Sequence, residues 1–211
     1  MSLSFTSLGI TNLGYTLAYR LRVTPWEHPG TGLRAQLATY LDHEERAGGP
    51  LGKALDAGCG TGDHSIEMAG RGWHVTAIDA VPLAIDRARR KAAAENVSVE
   101  FRVGDVTALG YSVGSGYRFV LDVGCFHGLT PAQRRAYARE ITGITEPGAT
   151  LLMFAFGPGR RGPLPRGVSR AELERTLAQW QLDTDDPGDT SGMPPMVRRS
   201  NPRWFHLTRT M

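Results

Sequence analysis

Lys53-Ala54-Leu55-Asp56-Ala57-Gly58-Cys59-Gly60-Thr61-Gly62-Asp63 runs from β-forming apolar residues through an acidic position into three glycines at alternate positions, and a helical pattern follows at once. Glycines in a strand-to-helix turn adopt dihedrals closed to other residues. They also bring the backbone close to a ligand where a Cβ would narrow the cleft. The segment therefore reads as a nucleotide-binding turn for an adenosine-bearing molecule.

Beyond the turn, strand and helix patterns alternate. Ala54–Ala57, His74–Ile78, Val99–Val103, Phe119–Val123 and Thr150–Phe156 read as strands, and Asp63–Arg71, Pro82–Glu95 and Pro131–Ile144 as helices. Pro82 falls in a first turn, where its missing N–H costs nothing. Strand runs without polar alternation imply burial on both faces, and repeated βα units with short loops predict a mostly parallel sheet with helices on both sides. The last quarter is less regular. Gly157–Gly167 holds four glycines, three prolines and three arginines, too many breakers for an element, and reads as a long loop near the carboxyl ends of the strands. Ser169 and Glu172 form a capping-box signature for a helix to about Trp180. Asp183–Pro195 reads as a polar loop, and Met196–Arg199 with Trp204–Arg209 as a hairpin around Asn201-Pro202. On the amino side, Leu8–Val23 has helical spacing, the Pro25–Gly30 segment breaks it, and a second helix is expected over Gly32–Arg46. These elements predict a helical cap and substrate lid over 1–49, part of a single domain whose core is 50–211.

With 211 residues and 41% apolar content, the chain suits one well-filled core. Lys plus Arg number 24 against 21 for Asp plus Glu, and arginines such as Arg89, Arg134 and Arg160 are scattered rather than gathered into a basic block. No nucleic-acid partner is expected. Cys59 and Cys125 lie in apolar strand-end contexts without metal-ligand spacing, and neither an 18-residue apolar run nor a targeting pattern is present. A cytoplasmic protein with no metal and no membrane association is the expectation.

A glycine turn alone serves dinucleotide, flavin and other adenosine binders. A phosphate loop would carry Lys and then Ser or Thr after its last glycine, whereas Asp63-His64 places a negative charge there. Asp79, about twenty residues after the glycines, can accept from both ribose hydroxyls of either a nicotinamide or another adenosyl cofactor. The glycine spacing departs from the nicotinamide fingerprint, and Gly104-Asp105-Val106 after the third strand offers a carboxylate and backbone amides to an adenine edge.

Ala54–Gly62, Ile78-Asp79, Gly104-Asp105-Val106 and Phe119–Cys125 together closely resemble the ordered motifs of the class I S-adenosylmethionine-dependent methyltransferases, over roughly residues 50 to 156. The resemblance implies a Rossmann-like seven-stranded, mostly parallel α/β sheet with a C-terminal antiparallel hairpin. It also implies S-adenosylmethionine as cofactor and S-adenosylhomocysteine as product. Gly58 and Gly60 would line the methionine side, with Asp56 supporting its amino group. Asp79 would bind the ribose hydroxyls beside Ala80, Asp105 the adenine amine and Val106 the ring, with Asp122 at the end of the fourth strand completing the set. The exocyclic-amine motif of nucleobase methyltransferases has no match in Asp122–Gly128, nor do the metal ligands of the catechol type. Size, the short cap and Pro25-Trp26-Glu27 resemble the small-molecule, thiopurine methyltransferase-like group.

Transfer from a sulfonium asks the protein mainly to align a nucleophile and exclude water. His127, just past the fourth strand, is the candidate catalytic base and substrate contact. Trp26 and His28, held between prolines, together with Phe156 and Arg160, are the other candidate substrate residues. A small-molecule acceptor, an RNA or protein acceptor, and a non-catalytic cofactor binder all remain open, as do monomer and homodimer.

Overall fold

A computed structural model describes residues 16, 17, 20, 30–46, 51–159 and 166–211. Among these, strands β1 (Lys53–Ala57), β2 (His74–Asp79), β3 (Glu100–Val103), β4 (Tyr117–Val123), β5 (Thr145–Ala155), β6 (Trp180–Pro187) and β7 (Arg203–Arg209) form one sheet of order β3-β2-β1-β4-β5-β7-β6. β1 to β5 pair in parallel, and β7 runs antiparallel between β5 and β6. The helices are α1 (Gly30–Arg46), α2 (Asp63–Gly70), α3 (Pro82–Ala94), α4 (Pro131–Ile144), α5 (Arg170–Thr176) and α6 (Pro195–Arg198).

Strand periodicity sends alternate side chains to two apolar layers. Leu55, Val120, Leu151, Met153 and Phe205 join Tyr137 and Ile141 of α4 and Leu173 of α5. Ala54, Phe119, Leu121, Leu152, Phe154 and Trp204 join Leu33, Leu37 and Leu41 of α1, Ile66 and Met68 of α2, and Ile85 and Ala88 of α3. Of the expected N-terminal cap, residues 30–46 therefore cover a sheet face. Gln36 accepts from Trp204 Nε1 at 3.1 Å, Tyr40 donates to Asp186 at 2.9 Å, and Glu44 accepts from Thr150 at 2.9 Å.

The C-terminal expectations need correction. The hairpin partner of β7 is β6, and the segment expected as the strand Met196–Arg199 is the short helix α6. Pro195 sits at the start of that helix, where its fixed φ favours a first turn. The helix expected to reach Trp180 stops at Thr176, and the first part of the expected polar loop, residues 183–187, is strand. β6 is a sheet edge, so its Asp-rich sequence needs no apolar run and charges there discourage edge-to-edge pairing. The loop from Gly157 continues as irregular chain where it is described, and residues 160–165 lie outside the described residues.

His206 of β7 fastens α1 to the sheet edge, with Nε2 2.9 Å from Glu44 Oε1 and Nδ1 3.3 Å from Asp183 Oδ2. The Glu44 hydrogen bond, reinforced by Asp183, raises its pKa against the opposing effect of burial. A raised histidine contributes stability that is full below the unfolded value of about 6.5 and is lost as pH climbs through the folded value. The urea midpoint of wild type should therefore exceed that of His206→Gln most clearly near about pH 6, and the gap should close toward about pH 9. A gap independent of pH would contradict the ion-pair account.

Candidate active site

Strand order reverses between β1 and β4, and at such a point the loops leaving the two strands diverge and open a crevice at their carboxyl ends. The glycine turn after β1 lines one side. Gly58 and Cys59 donate their N–H groups to Ile78 O at 2.9 and 3.0 Å, tying the turn to β2. Gly58 has φ +78°, and a Cβ on it would lie 2.7 Å from Cys125 Cβ and 2.9 Å from Sγ. The turns after β1 and β4 thus touch at a position only glycine fits.

Asp79 closes β2 with both oxygens engaged. Oδ2 accepts from Gly60 N at 2.9 Å and Oδ1 from Val81 N at 2.8 Å. Burial raises its pKa, and those two hydrogen bonds oppose the rise. Each oxygen keeps a further lone pair for a ligand hydroxyl. Ala80, between these partners, continues the turn into α3, whose first residue is Pro82. Asp105 Oδ1 accepts from Thr107 N and Oγ1, each at 2.8 Å, fixing the turn after β3, and Val106 is buried in the core beneath.

Two further carboxylates are fully enclosed. Asp56 of β1 accepts from Ser65 Oγ at 2.5 Å, and burial pushes its pKa up to about 7, with Asp122 and Asp79 adding repulsion. Asp122 of β4 accepts from Cys125 N at 2.9 Å and Phe126 N at 3.0 Å. Burial raises it to about 6 against these hydrogen bonds and the nearby Tyr137 hydroxyl and Arg134. Its geometry makes it the anchor of the 124–128 turn. The Cys59 and Cys125 thiols are free and pushed well up by burial, which keeps them un-ionised and poorly nucleophilic.

His127, 6% exposed, lies in a single 3₁₀ turn, Phe126–Gly128. Its Nδ1 accepts the N–H of Phe156 at 2.9 Å, and the two rings stack with centroids 4.3 Å apart and planes at 31°. The structure therefore brings His127 and Phe156 together at the ends of β4 and β5. A backbone N–H can only donate, so the proton of the neutral imidazole resides on Nε2. In that tautomer the lone pair expected of a general base is absent from Nε2. Trp26, His28 and Arg160 lie outside the described residues.

Sequence reasoning missed Ser65, whose position carries no periodic signal, and Arg134, counted above among scattered arginines but 4% exposed. Arg134 stands three, four and seven residues before the buried Tyr137, Ala138 and Ile141. An arginine in an apolar helical stripe was the available signal.

A methyltransferase-domain family matches residues 54–148. The chain is 33% identical over 144 residues to a 2-heptyl-1-hydroxyquinolin-4(1H)-one methyltransferase of Mycobacteroides abscessus, covering 64% of this chain and 62% of that protein. It is 26% identical over 204 residues to a probable thiol methyltransferase 2 of Arabidopsis thaliana, covering 92% and 88%. These likenesses support a class I S-adenosylmethionine-dependent methyltransferase. Its fold matches that of the 1,6-didemethyltoxoflavin-N1-methyltransferase of Burkholderia thailandensis, solved with 1,6-didemethyltoxoflavin and S-adenosylhomocysteine, at TM-score 0.77 and 20% identity over 100% of this chain and 92% of that one.

The residues of this methyltransferase suit the family's cofactor, S-adenosylmethionine. Asp79 offers a fixed carboxylate for hydroxyls beside the glycine turn, and the buried acids Asp56 and Asp122 favour a cationic ligand. Asp79→Ala is expected to weaken S-adenosylhomocysteine binding at least about tenfold by calorimetry, since charge-assisted hydrogen bonds are lost. A cation favours the ionised carboxylates, so S-adenosylmethionine affinity should climb as pH rises through about 6 to 7. For the ligand-free protein the sign reverses: stability present below the unfolded carboxyl pKa falls as pH rises through the raised values. An affinity flat across that window would contradict contact between the cofactor's positive charge and these acids.

Proposed function

We propose that this methyltransferase alkylates an acidic S, O or N atom of a small, flat aromatic or heterocyclic molecule, and that it works in the cytoplasm. The observation that carries the reading is the stacked His127–Phe156 pair with Nδ1 committed to a backbone N–H. The pair offers a flat wall for a planar acceptor and no lone pair at Nε2 to take its proton. The acceptor must then arrive ionised, which favours groups that lose a proton near neutrality, such as thiols at about 8.5. The hydroxyquinolone and the thiol in the relatives' names are of that kind.

In this reading Gly58, Gly60 and Asp56 hold the methionine end of the cofactor, Asp79 and Ala80 the ribose, and Asp105 and Val106 the adenine. Asp122 contributes negative charge while holding the turn that carries His127. Trp26, His28 and Arg160 are assigned to the acceptor side with His127 and Phe156. When bound, S-adenosylmethionine supplies a methyl on a positively charged sulfur, displaced in line as the acceptor forms its bond to carbon. His127 acts by alignment, a contribution that geometry alone can make large.

The test is mass spectrometry after incubation with isotope-labelled S-adenosylmethionine and thiols, phenols, hydroxyquinolones, amines and halides. Labelled methyl on an acidic S, O or N acceptor is expected, and products from un-ionisable amines or halides alone would refute the proposal. With two acceptors of different pKa, the pH midpoint of kcat/KM should track the acceptor. His127→Ala should lower turnover of ionised and neutral acceptors alike, by about a hundredfold. A midpoint fixed near the ordinary histidine value for both acceptors would restore the base role.

A further inference from the structure

The acceptor side of the site is closed by a circuit of hydrogen bonds passing through one buried cation. Arg134 Nη2 donates to His127 O at 2.9 Å and Gly167 O at 2.8 Å, and Nη1 donates to Glu172 Oε1 at 2.6 Å. Its guanidinium carbon lies 5.2 Å from the centroid of the Phe126 ring. From His127 the circuit continues through Nδ1 to Phe156 N, and Phe156 O accepts from Val168 N at 2.9 Å, next to Gly167. One guanidinium thereby joins the turn after β4 to both ends of the loop after β5. Gly167 reinforces the closure: at φ +75° it packs so tightly on Phe156 and Gly157 that a Cβ would collide with both carbonyls.

Stability alone gives no reason for an arginine here. Burying a guanidinium costs desolvation, and apolar residues of similar volume often replace such groups without loss. Arg134 Nε is itself buried without a partner among the described residues. What arginine adds is a planar fork able to reach two carbonyls and a carboxylate at fixed angles, which lysine cannot reproduce. Glu172 was expected to reach back to its own helix start. It spends its carboxylate on Arg134 instead, while Ser169 caps α5 alone.

We propose that Arg134 is a positioning residue for methyl transfer, clamping the carbonyls of His127 and Gly167 so that the His127–Phe156 ring pair is held for the acceptor. The proposal rests on the acceptor reading above. The cofactor turn hangs from a separate set of bonds, those of Gly58 and Cys59 to Ile78 and of Gly60 to Asp79, so loss of the clamp is felt on the acceptor side. The charge of Arg134 also reaches Asp122, which a lysine would preserve and a methionine would not.

Arg134→Lys and Arg134→Met in the full chain separate fork from charge. With S-adenosylhomocysteine bound, amides 126–130 and 166–169 should exchange hydrogen roughly tenfold faster in both variants, while 58–62 and 79–81 stay unchanged. Turnover of thiophenol and of 1-hydroxyquinolin-4(1H)-one should drop about a hundredfold in kcat, with S-adenosylhomocysteine affinity of the lysine variant within about twofold of wild type. A lysine variant with wild-type kcat would show that charge suffices and overturn the clamp, as would unchanged exchange in both loops. If the methionine variant does not fold, the lysine variant decides. If wild type methylates neither probe, that failure belongs to the acceptor reading, and the exchange comparison alone judges the clamp: faster exchange supports it and retained protection overturns it.

Discussion

The approach of Gly58 to Cys125 is the contact on which the rest of the site depends. The turns after β1 and β4 meet so closely that no side chain fits at Gly58. Because strand order reverses between these two strands, the contact sets the turn after β1 beside the turn after β4 at the crevice. Each turn is then held from its far side. The first is tied through Ile78 and Asp79 to β2; the second is tied through Asp122 at its base and through Arg134 and Phe156 to the loop after β5. Such bracing suits a reaction whose rate depends on alignment more than on proton transfer.

Electrostatics follow from the same crowding. Asp56, Asp79 and Asp122 stand near the carboxyl ends of three neighbouring strands, and burial raises all three. Enclosed acids are costly unless hydrogen-bonded or matched by positive charge. Here Ser65, backbone N–H groups and the distant fork of Arg134 meet part of that need, and a cationic cofactor would meet more. The acids that favour the ligand thus also shape its surroundings, since two of them hold turns in place.

The βα frame was legible because each buried strand is a short apolar run and the helices that follow show an apolar stripe beside a recognisable start such as Pro82. The turns proposed to hold the cofactor were legible for a related reason: their residues sit next to one another in sequence at strand ends, so Gly58, Asp79 and Asp105 come with their turns. The edge strand β6 was not legible. An exposed edge rich in aspartate reads as loop until its pairing with β7 is seen. Arg134 was misjudged because an arginine is usually a surface residue, and only its partners, 7, 33 and 38 positions away, explain its burial.

The sequence by itself determined the parallel βα order and the glycine turn, since these follow from local dihedral preferences, periodicity and short-range spacing, and its ordered motifs pointed to the cofactor class by resemblance. Only the tertiary structure decided the rest: the face covered by α1, the hairpin partner of β7, the tautomer of His127 and the clamp of Arg134. Each of those depends on groups distant in sequence. A backbone N–H from β5's end fixes a proton on a ring after β4, and a carbonyl at Gly167 gives a buried guanidinium its place. Propensity and spacing describe neighbours along the chain, whereas hydrogen-bond satisfaction inside a core is settled by whatever the fold brings within 3 Å, roughly the length of such a bond.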